Sequence, residues 1–273
     1  MTTRSRSRLT LALDILNHGG LLIVALIFLF PFFWMVSNAV RSNAEVLAIP
    51  VRILPNAFEW DNFAKAWTQL PFGRFFLNSL FISTSVTIIT VIVSCLSGYA
   101  FARLKFPGRE ALLMAYLGTL MVPAIMLIIP LFLIVNSLGM VNTFQGVILP
   151  VAFGTFGAFL MRQFFLSIPM ELEEAARIDG ASRLRILVSI IVPLSMPAIG
   201  LLSLFTFIGQ WNNFLWPLIV MTGSENATLP VGLTYFQTQS GTQWNFIMAG
   251  AALSMLPGII LAIILQKLIY NSV

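Results

Sequence analysis

Charged side chains are scarce in this sequence. Only 9% of its 273 residues are Asp, Glu, Lys or Arg, and 58% are hydrophobic, whereas a soluble domain carries about 25% charged residues. This composition excludes a soluble globular fold. Six apolar stretches of about 20 residues each can be built from it, so it predicts a polytopic membrane protein.

Five long stretches of the chain contain no charged residue. They are Ile15–Val40, Phe75–Ala102, Ala111–Met161, Ile186–Ser224 and Asn226–Gln266. The third is 51 residues long, and the polar turn Gly139–Thr143 divides it into a helical hairpin. Helices are favoured over a barrel because the runs are continuously apolar rather than alternating. We expect six transmembrane helices, at roughly Gly20–Val40, Leu77–Phe101, Ala111–Leu133, Phe144–Met161, Leu194–Ile219 and Phe246–Leu265.

The distribution of Lys and Arg predicts the orientation. With a cytoplasmic N-terminus, eleven basic residues lie inside and four outside, as the positive-inside rule requires. Both termini are then cytoplasmic, and the net charge of +5 needs no nucleic-acid partner. We expect one all-α membrane domain over residues 1–273, with external loops near 41–76 and 222–245 and a cytoplasmic segment near 162–189. An interfacial helix is expected near Glu59–Leu70.

Histidine and cysteine are each present only once. His18 stands at the edge of the first apolar run, and Cys95 lies within the second. An intrachain disulfide and a Cys-rich metal site are therefore excluded, and metal-dependent hydrolysis lacks its ligands. The sequence predicts no catalytic residues and no metal site, so we do not expect an enzyme.

Motifs that would energise or open a transport path are also missing. The predicted spans contain no ionisable residue that could couple transport to an ion gradient. None of the three lysines belongs to a phosphate-binding GxxxxGK[ST] loop, and no Asn precedes a Pro, as a water or glycerol channel would need. If transport is active, its energy must come from a separate subunit.

The cytoplasmic segment has the pattern of a helical hairpin. Ser167 is expected to cap a first helix, Gly180 to end it in a left-handed conformation, and Ser182 to cap a second helix. Ala175 and Ala176 give the first helix a flat face that another protein can approach closely. The same pattern also fits a solvated connector that contacts nothing.

This segment carries a family resemblance. Glu174-Ala175-Ala176, then Gly180, then Ile190 and Val192-Pro193 resemble the EAA signature of binding-protein-dependent ABC importer permeases, with Val192 in place of the usual Leu. Residues 98–104 (GYAFARL), 106–108 (FPG), 211–216 (WNNFLW) and 229–233 (LPVGL) look like the carbohydrate-uptake branch, the maltose-permease type.

The resemblance implies a bacterial or archaeal inner-membrane transport subunit that imports a sugar by alternating access. Its implied partners are a second homologous permease subunit, two cytoplasmic ATPase subunits that bind ATP and Mg, and an extracytoplasmic solute-binding protein. No cofactor is implied for this chain itself. The coupling helix that enters a cleft of one ATPase would include Glu174, Ala175, Ala176, Asp179 and Gly180.

Two further groups are candidates for contact with the solute and with the binding protein. Sugars are bound by aromatic faces and by amide hydrogen bonds, and the fifth predicted span offers Gln210, Trp211, Asn212, Asn213 and Trp216. We expect its two asparagines to face the bundle interior, where bonds between helices are an equally good account of them. Six prolines are candidate bends: Pro123, Pro130, Pro193, Pro197, Pro217 and Pro257. The candidate binding-protein loop contains Gln237, Thr238, Gln239, Ser240 and Gly241.

Alternative functions remain open at this point. The same architecture could import glycerol-phosphate or another sugar-like solute, although a phosphate would favour cationic residues, which the spans lack. A six-span passive channel or a membrane-bound signalling protein is the alternative from another class. Flux without a cytoplasmic ATPase would distinguish a channel from an importer.

Overall fold

The fold is almost entirely helical. The computed structural model describes residues 8–238 and 241–270. The only β-structure in these ranges is a two-stranded antiparallel hairpin of Gln237–Thr238 (β1) and Gly241–Thr242 (β2). The all-α prediction is therefore confirmed apart from this hairpin.

The helices differ greatly in length. In chain order they are α1 (Arg8–Ala39), α2 (Asn43–Val46), α3 (Asp61–Gln69), α4 (Phe72–Arg103), α5 (Arg109–Gly118), α6 (Ile128–Ser137), α7 (Phe144–Ile148), α8 (Thr155–Ser167), α9 (Glu171–Ile178), α10 (Arg183–Ile186), α11 (Val192–Leu194), α12 (Met196–Trp211), α13 (Leu215–Val220), α14 (Leu229–Leu233) and α15 (Trp244–Tyr270). Short 3-10 turns lie at Thr119–Met121, Ala124–Leu127, Leu149–Val151 and Thr234–Phe236, and a π-helical turn at Leu187–Ile191.

Three continuous helices are long and apolar enough to cross a membrane. They are Leu16–Ala39 within α1, Phe72–Arg103 (α4) and Trp244–Gln266 within α15. All three overlap predicted spans, although α4 begins at Phe72, earlier than the span expected from Leu77. Likewise, residues 162–167 are helical and form the end of α8.

Three further apolar segments are helix pairs with a sharp bend. The pair at 109–121 and 124–137 bends by 93°, that at 144–151 and 155–167 by 43°, and that at 183–194 and 196–211 by 80°. The described chain thus has three continuous spans, or up to six if each bent pair crosses the membrane once.

Prolines account for two of these bends. Pro123 lies in the first break, and Pro193 and Pro197 flank the third at Ser195, where a missing N–H and a ring clash interrupt the helix. The other three prolines do not behave as bends. Pro130 and Pro217 lie in first helical turns, and α15 continues through Pro257.

The chain forms two compact units. The first contains the described residues within Met1–Gln69 and Phe236–Leu253. It includes α3, which confirms the helix predicted near Glu59–Leu70. Arg41 is only 1% exposed there, and its guanidinium donates to neutral oxygens of Asn38, Ser37 and Ile53. This buried cation is thus solvated by the chain's own carbonyl, amide and hydroxyl groups.

The second unit contains Leu70–Tyr235 and the described residues from Ser254 onward. Its centre is α4, which packs against α8 and α12. At Gly98 of α4, a Cβ atom would lie 2.9 Å from both the Met161 Cβ and the Arg162 backbone nitrogen of α8. Small residues allow helices in membranes to approach this closely, so α4 and α8 form a tight pair that ends beside α9.

Candidate functional site

The predicted hairpin forms at α9 and α10. Gly180 has a φ of +79°, a left-handed conformation that favours glycine, and Ser182 Oγ accepts a hydrogen bond from the Arg185 N–H. Both expectations are confirmed. The expectation for Ser167 is wrong: Ser167 is the last residue of α8, and its hydroxyl donates to the Phe164 carbonyl.

Most of the proposed coupling residues lie on open surface. Ala176 is half-buried and packs against the core. Ile178, on the same helix, is 87% exposed, and it lines a shallow depression with Glu174 and Arg177. The exposed members of the predicted set are Glu174, Ala175, Asp179 and Gly180. Ala175 and Ala176 therefore do not form one exposed face.

The buried side of α9 is anchored by Glu173. Its side chain is 4% exposed, and Oε1 lies 2.7 Å from Arg103 Nε at the end of α4. These two atoms form an ion pair but are not aligned as a hydrogen bond. The Tyr99 hydroxyl donates to Glu173 Oε2 at 3.2 Å. A carboxylate one residue before the predicted coupling glutamate thus connects α9 to α4.

Arg103 also binds the end of α8. Its Nη2 donates to the carbonyl oxygens of Phe165 at 2.7 Å and Ile168 at 2.6 Å, and Nη1 contacts Met170 Sδ at 3.4 Å. These carbonyls belong to the last turn of α8 and its exit, and the Phe165 carbonyl also accepts the Ile168 backbone N–H at 3.2 Å. One guanidinium therefore joins α4, the end of α8 and α9.

The polar residues of the fifth predicted span lie at a helix break. α12 ends at Trp211 and α13 begins at Leu215. Asn213 Nδ2 donates to Gln210 Oε1 at 3.2 Å, and Asn212 is exposed. Asn213 is half-buried, and the expectation that both asparagines face the bundle interior stays a prediction.

The two tryptophans of this group are buried in different places. Trp211 stacks on Phe207 and meets Phe76 edge-on, and its Nε1 donates to the Ser254 carbonyl at 2.8 Å. Trp216 is in a separate apolar cluster, and its Nε1 has no hydrogen-bond partner among the described residues. The five predicted pathway residues therefore do not form one binding surface within this chain.

The predicted binding-protein loop forms the β1–β2 hairpin. Gln237 and Thr238 are exposed, Thr238 Oγ1 donates to the Gly241 carbonyl at 2.9 Å, and Gly241 has a φ of +126°. Gln239 and Ser240 lie outside the described residues. The hairpin is held by Asn43, which bonds the Thr242 carbonyl and the Trp244 N–H.

Comparison with known families identifies the chain. Residues 91–273 match the family of binding-protein-dependent transport system inner membrane components. The chain belongs to this family. It is therefore a permease of a binding-protein-dependent ABC importer, and the resemblance seen in its sequence is confirmed.

Similar proteins cover nearly the whole permease. The sn-glycerol-3-phosphate transport system permease protein UgpE of Pectobacterium atrosepticum is 34% identical over 93% of this chain and 94% of its own length. The UgpE protein of Yersinia enterocolitica is 33% identical with the same coverage. These relatives are transport permeases, and their names assign them no catalytic activity.

Solved structures show the same fold. A chain of a bacterial ABC transporter involved in the import of the acidic polysaccharide alginate has a TM-score of 0.83 and 27% identity, and the match covers 97% of the permease and 99% of that chain. A chain of the MetNI methionine ABC transporter has a TM-score of 0.54 and 15% identity over 78% of the permease and 97% of that chain. The second match supports the fold alone.

Sequence reasoning missed the anchor of the hairpin. Neither Glu173 nor Arg103 is among the site residues that the sequence predicts. The helical spacing around the EAA residues is the available signal. Residues three apart lie on one face of a helix, so Glu173 and Ala176 share a face and Glu174 lies on another. The partner on α4 is 70 residues away and has no local signal.

Proposed function

We propose that this permease is one half of a sugar pathway driven by ATP, and that α9 is its coupling helix. The observation that carries the proposal is the two-sided character of α9. Glu174 and Ile178 are open to a partner, whereas Glu173 and Ala176 are held by the second unit. A helix that is fixed on one side and open on the other is suited to receive a force and pass it inward.

The open side of α9 has the chemistry of a docking surface. Ile178 is 87% exposed, and its burial in a cleft of a partner would be favourable. Glu174 and Arg177 on the same surface can form charge-assisted hydrogen bonds with polar groups at the rim of that cleft. A solvated connector, the competing interpretation, needs no such exposed apolar side chain.

The proposed topology has six spans with both termini in the cytoplasm. Each bent pair then crosses the membrane once, and the eleven-to-four distribution of basic residues supports this orientation. It puts α9 on the cytoplasmic side and the β1–β2 hairpin on the outside. All 273 residues then form one functional permease domain.

The proposed partners follow from what the chain lacks. Its apolar segments have no charge relay and its sequence has no phosphate-binding loop, so ATP and Mg would be held by two cytoplasmic ATPase subunits. A second homologous permease subunit would complete the pathway. A solute-binding protein would dock outside, where Gln237, Thr238 and Gly241 are exposed, and the proposed loop also includes Gln239 and Ser240.

The proposed solute is a sugar or oligosaccharide. Asn212 is exposed at a helix break beside the Gln210–Asn213 pair, and amides of this kind recognise hydroxyl groups. The tryptophans of the same group stabilise the packing around this break. Uncharged contacts suit a neutral sugar, and the second permease subunit would supply the opposite wall.

An acidic sugar-like solute is the second candidate. Two observations favour it: the UgpE relatives are named for sn-glycerol-3-phosphate, and the similar solved structure is of an alginate importer. Cations for such a solute would have to come from the partner subunit. Uptake of labelled sn-glycerol 3-phosphate, alginate oligosaccharides and neutral maltodextrins by cells expressing the full importer would distinguish the two candidates.

The coupling proposal is tested by ATP hydrolysis in the purified assembly, with and without solute-loaded binding protein. Glu174→Lys and Gly180→Pro should abolish most of the stimulated rate while the assembly remains intact by size-exclusion chromatography. Glu110→Lys is the matched control, because Glu110 is an exposed acidic residue outside the hairpin. Full stimulation in both hairpin variants would show that α9 is only a connector.

A further inference from the structure

Two charges are buried where α9 meets α4. The side chains of Arg103 and Glu173 are 8% and 4% exposed, and their charged groups are 2.7 Å apart. The Tyr99 hydroxyl donates a hydrogen bond to the second carboxylate oxygen of Glu173. We call Tyr99, Arg103 and Glu173 the α4–α9 clamp.

The clamp is more than a pairwise contact. Arg103 also binds two carbonyl oxygens at the end of α8 and the Met170 sulfur beside the first turn of α9. Each of these contacts fixes a direction as well as a distance, because the guanidinium presents its donors in a rigid plane. The planar group therefore holds the end of α8 to the end of α4, and the ion pair and the Tyr99 hydroxyl bring Glu173 of α9 to the same point.

Stability alone does not explain a buried ion pair at this point. A well-packed apolar pair of similar volume is often as stable as a buried ion pair or more stable. The apolar core already extends to α9 through Ala176 and to the following turn through Ala181. What the charged pair adds is a fixed geometry between the two helices.

The covalent links of α9 are short and non-helical. Three residues connect it to α8, and the left-handed Gly180 lies in the turn to α10. Such links allow a short helix to pivot. The clamp is a contact that opposes pivoting, because it joins the first turn of α9 to the end of α4.

We infer that Arg103 and Glu173 are positioning residues for energy coupling, and that Tyr99 supports them. The clamp makes α9 and α4 move as one body, so a displacement of α9 by an ATPase reaches the transmembrane helix and is not lost in pivoting. This inference rests on the proposed role of α9 as the coupling helix. It adds the connection by which movement of that helix would enter the membrane.

The test separates docking of α9 from transmission to α4. The complete assembly is prepared in liposomes in a Cys95→Ala background. Docking is measured by cross-linking Ile178→Cys to the ATPase subunits. Transmission is measured by the rate at which N-ethylmaleimide labels Leu77→Cys or Leu80→Cys, near the far end of α4, with ATP and without nucleotide. Both leucines are exposed at the surface of this chain.

The expected results follow from the clamp. With wild-type residues in the clamp, ATP should change the labelling rate about fivefold or more, an ordinary size for coupling between sites. Glu173→Gln and Arg103→Met should keep the Ile178→Cys cross-link and lose this change, whereas Arg103→Lys should keep part of it. Glu171→Gln is the matched control, since it makes the same substitution on the exposed side of α9, and it should behave as wild type.

Each failure has a distinct meaning. If the cross-link is absent with wild-type residues, the coupling role of α9 is wrong. If the cross-link is present but ATP changes neither leucine position, or if Glu173→Gln retains the full change, the clamp does not transmit movement and the inference is overturned. Should Glu173→Gln fail to assemble, Tyr99→Phe decides, because it removes one hydrogen bond and keeps the ion pair; an undiminished ATP response in that variant would also count against the clamp.

Discussion

The side-chain amide of Asn78 donates a hydrogen bond to the carbonyl oxygen of Ala227 at 3.0 Å. The same nitrogen lies 3.1 Å from the carbonyl oxygen of Glu225, and the neighbouring Ser79 hydroxyl accepts from the Leu229 N–H at 2.7 Å. Two consecutive residues of α4 thus hold the segment that leads into α14. This contact orders a stretch that has no regular structure of its own.

Replacement of Asn78 by Ala should lower the free energy of unfolding by about 1–3 kcal/mol, because buried carbonyl oxygens lose their donor. Thermal denaturation of the detergent-purified assembly measures this change. Glu225→Gln is the matched control, because it removes the ion pair of Glu225 with Arg74. The side chain of Glu225 is 82% exposed and that of Arg74 is 56% exposed, and such exposed pairs contribute little to stability. Equal destabilisation by both variants would show that the hydrogen bonds of Asn78 do not stabilise the permease.

The close approach of α4 and α8 at Gly98 predicts a steric effect. Gly98→Ala should destabilise the permease by about 1–3 kcal/mol, the usual range for overpacking, because the added methyl group meets the Arg162 backbone nitrogen at 2.9 Å. Gly118→Ala makes the same change in open space and should be neutral or stabilising. Thermal midpoints compare the two, and a neutral Gly98→Ala would mean that the helices separate easily.

The left-handed conformation at Gly180 predicts an ordered series of variants. Gly180→Val should strain the turn by about 1–2 kcal/mol, whereas Gly180→Asn should be nearly tolerated, because asparagine adopts this conformation more readily. The binding-protein-stimulated rate of ATP hydrolysis should fall in the order glycine, asparagine, valine. A valine variant with the full rate would show that the turn is free to change conformation.

The two buried tryptophans predict a difference of one hydrogen bond. Trp211→Phe loses the 2.8 Å bond to the Ser254 carbonyl, while Trp216→Phe removes an N–H that has no partner among the described residues. Both changes remove the same ring atoms. Trp211→Phe should therefore be more destabilising by about 1 kcal/mol, measured as the difference in unfolding free energy, and a reversed order would contradict the bonding pattern.

Local signals were sufficient for much of this fold. The charge-free runs predicted the helical segments, and the polar residues at 139–143 predicted the turn between α6 and α7, where Asn142 has a φ of +59°. Gly180 predicted the end of α9, and Ser182 predicted the beginning of α10. Each of these features depends on a few neighbouring residues, so the sequence alone reveals it.

Breaks inside the apolar segments were harder to predict. Six prolines were candidates, but only three of them lie at bends, and the 43° bend near Gly154 follows Pro150, which was not among the candidates. Whether a proline breaks a helix or starts one depends on which neighbouring groups bond to the backbone atoms that it leaves free. Those neighbours come from distant parts of the chain.

Tertiary partners were beyond the reach of sequence patterns. Nothing local in the sequence indicates that Arg103 and Glu173 meet. The same is true of Asn142, whose side-chain oxygen accepts hydrogen bonds from the Thr222 N–H and the Asn226 amide. Pairings over 70 or 80 residues depend on how α4, α8 and the bent segments pack, and periodicity does not encode that.

The length of α4 has a mechanical consequence. Its 32 residues form a rod about 48 Å long, compared with a hydrocarbon layer of about 30 Å, and no proline interrupts it. At one end Arg103 forms an ion pair with Glu173 of α9, and near the other end Asn78 donates a hydrogen bond to the segment before α14. α4 therefore carries a polar contact to another segment near each of its ends. If α4 tilts as a rigid rod, a displacement of one end moves the other end as well, in the opposite direction when the pivot lies between them.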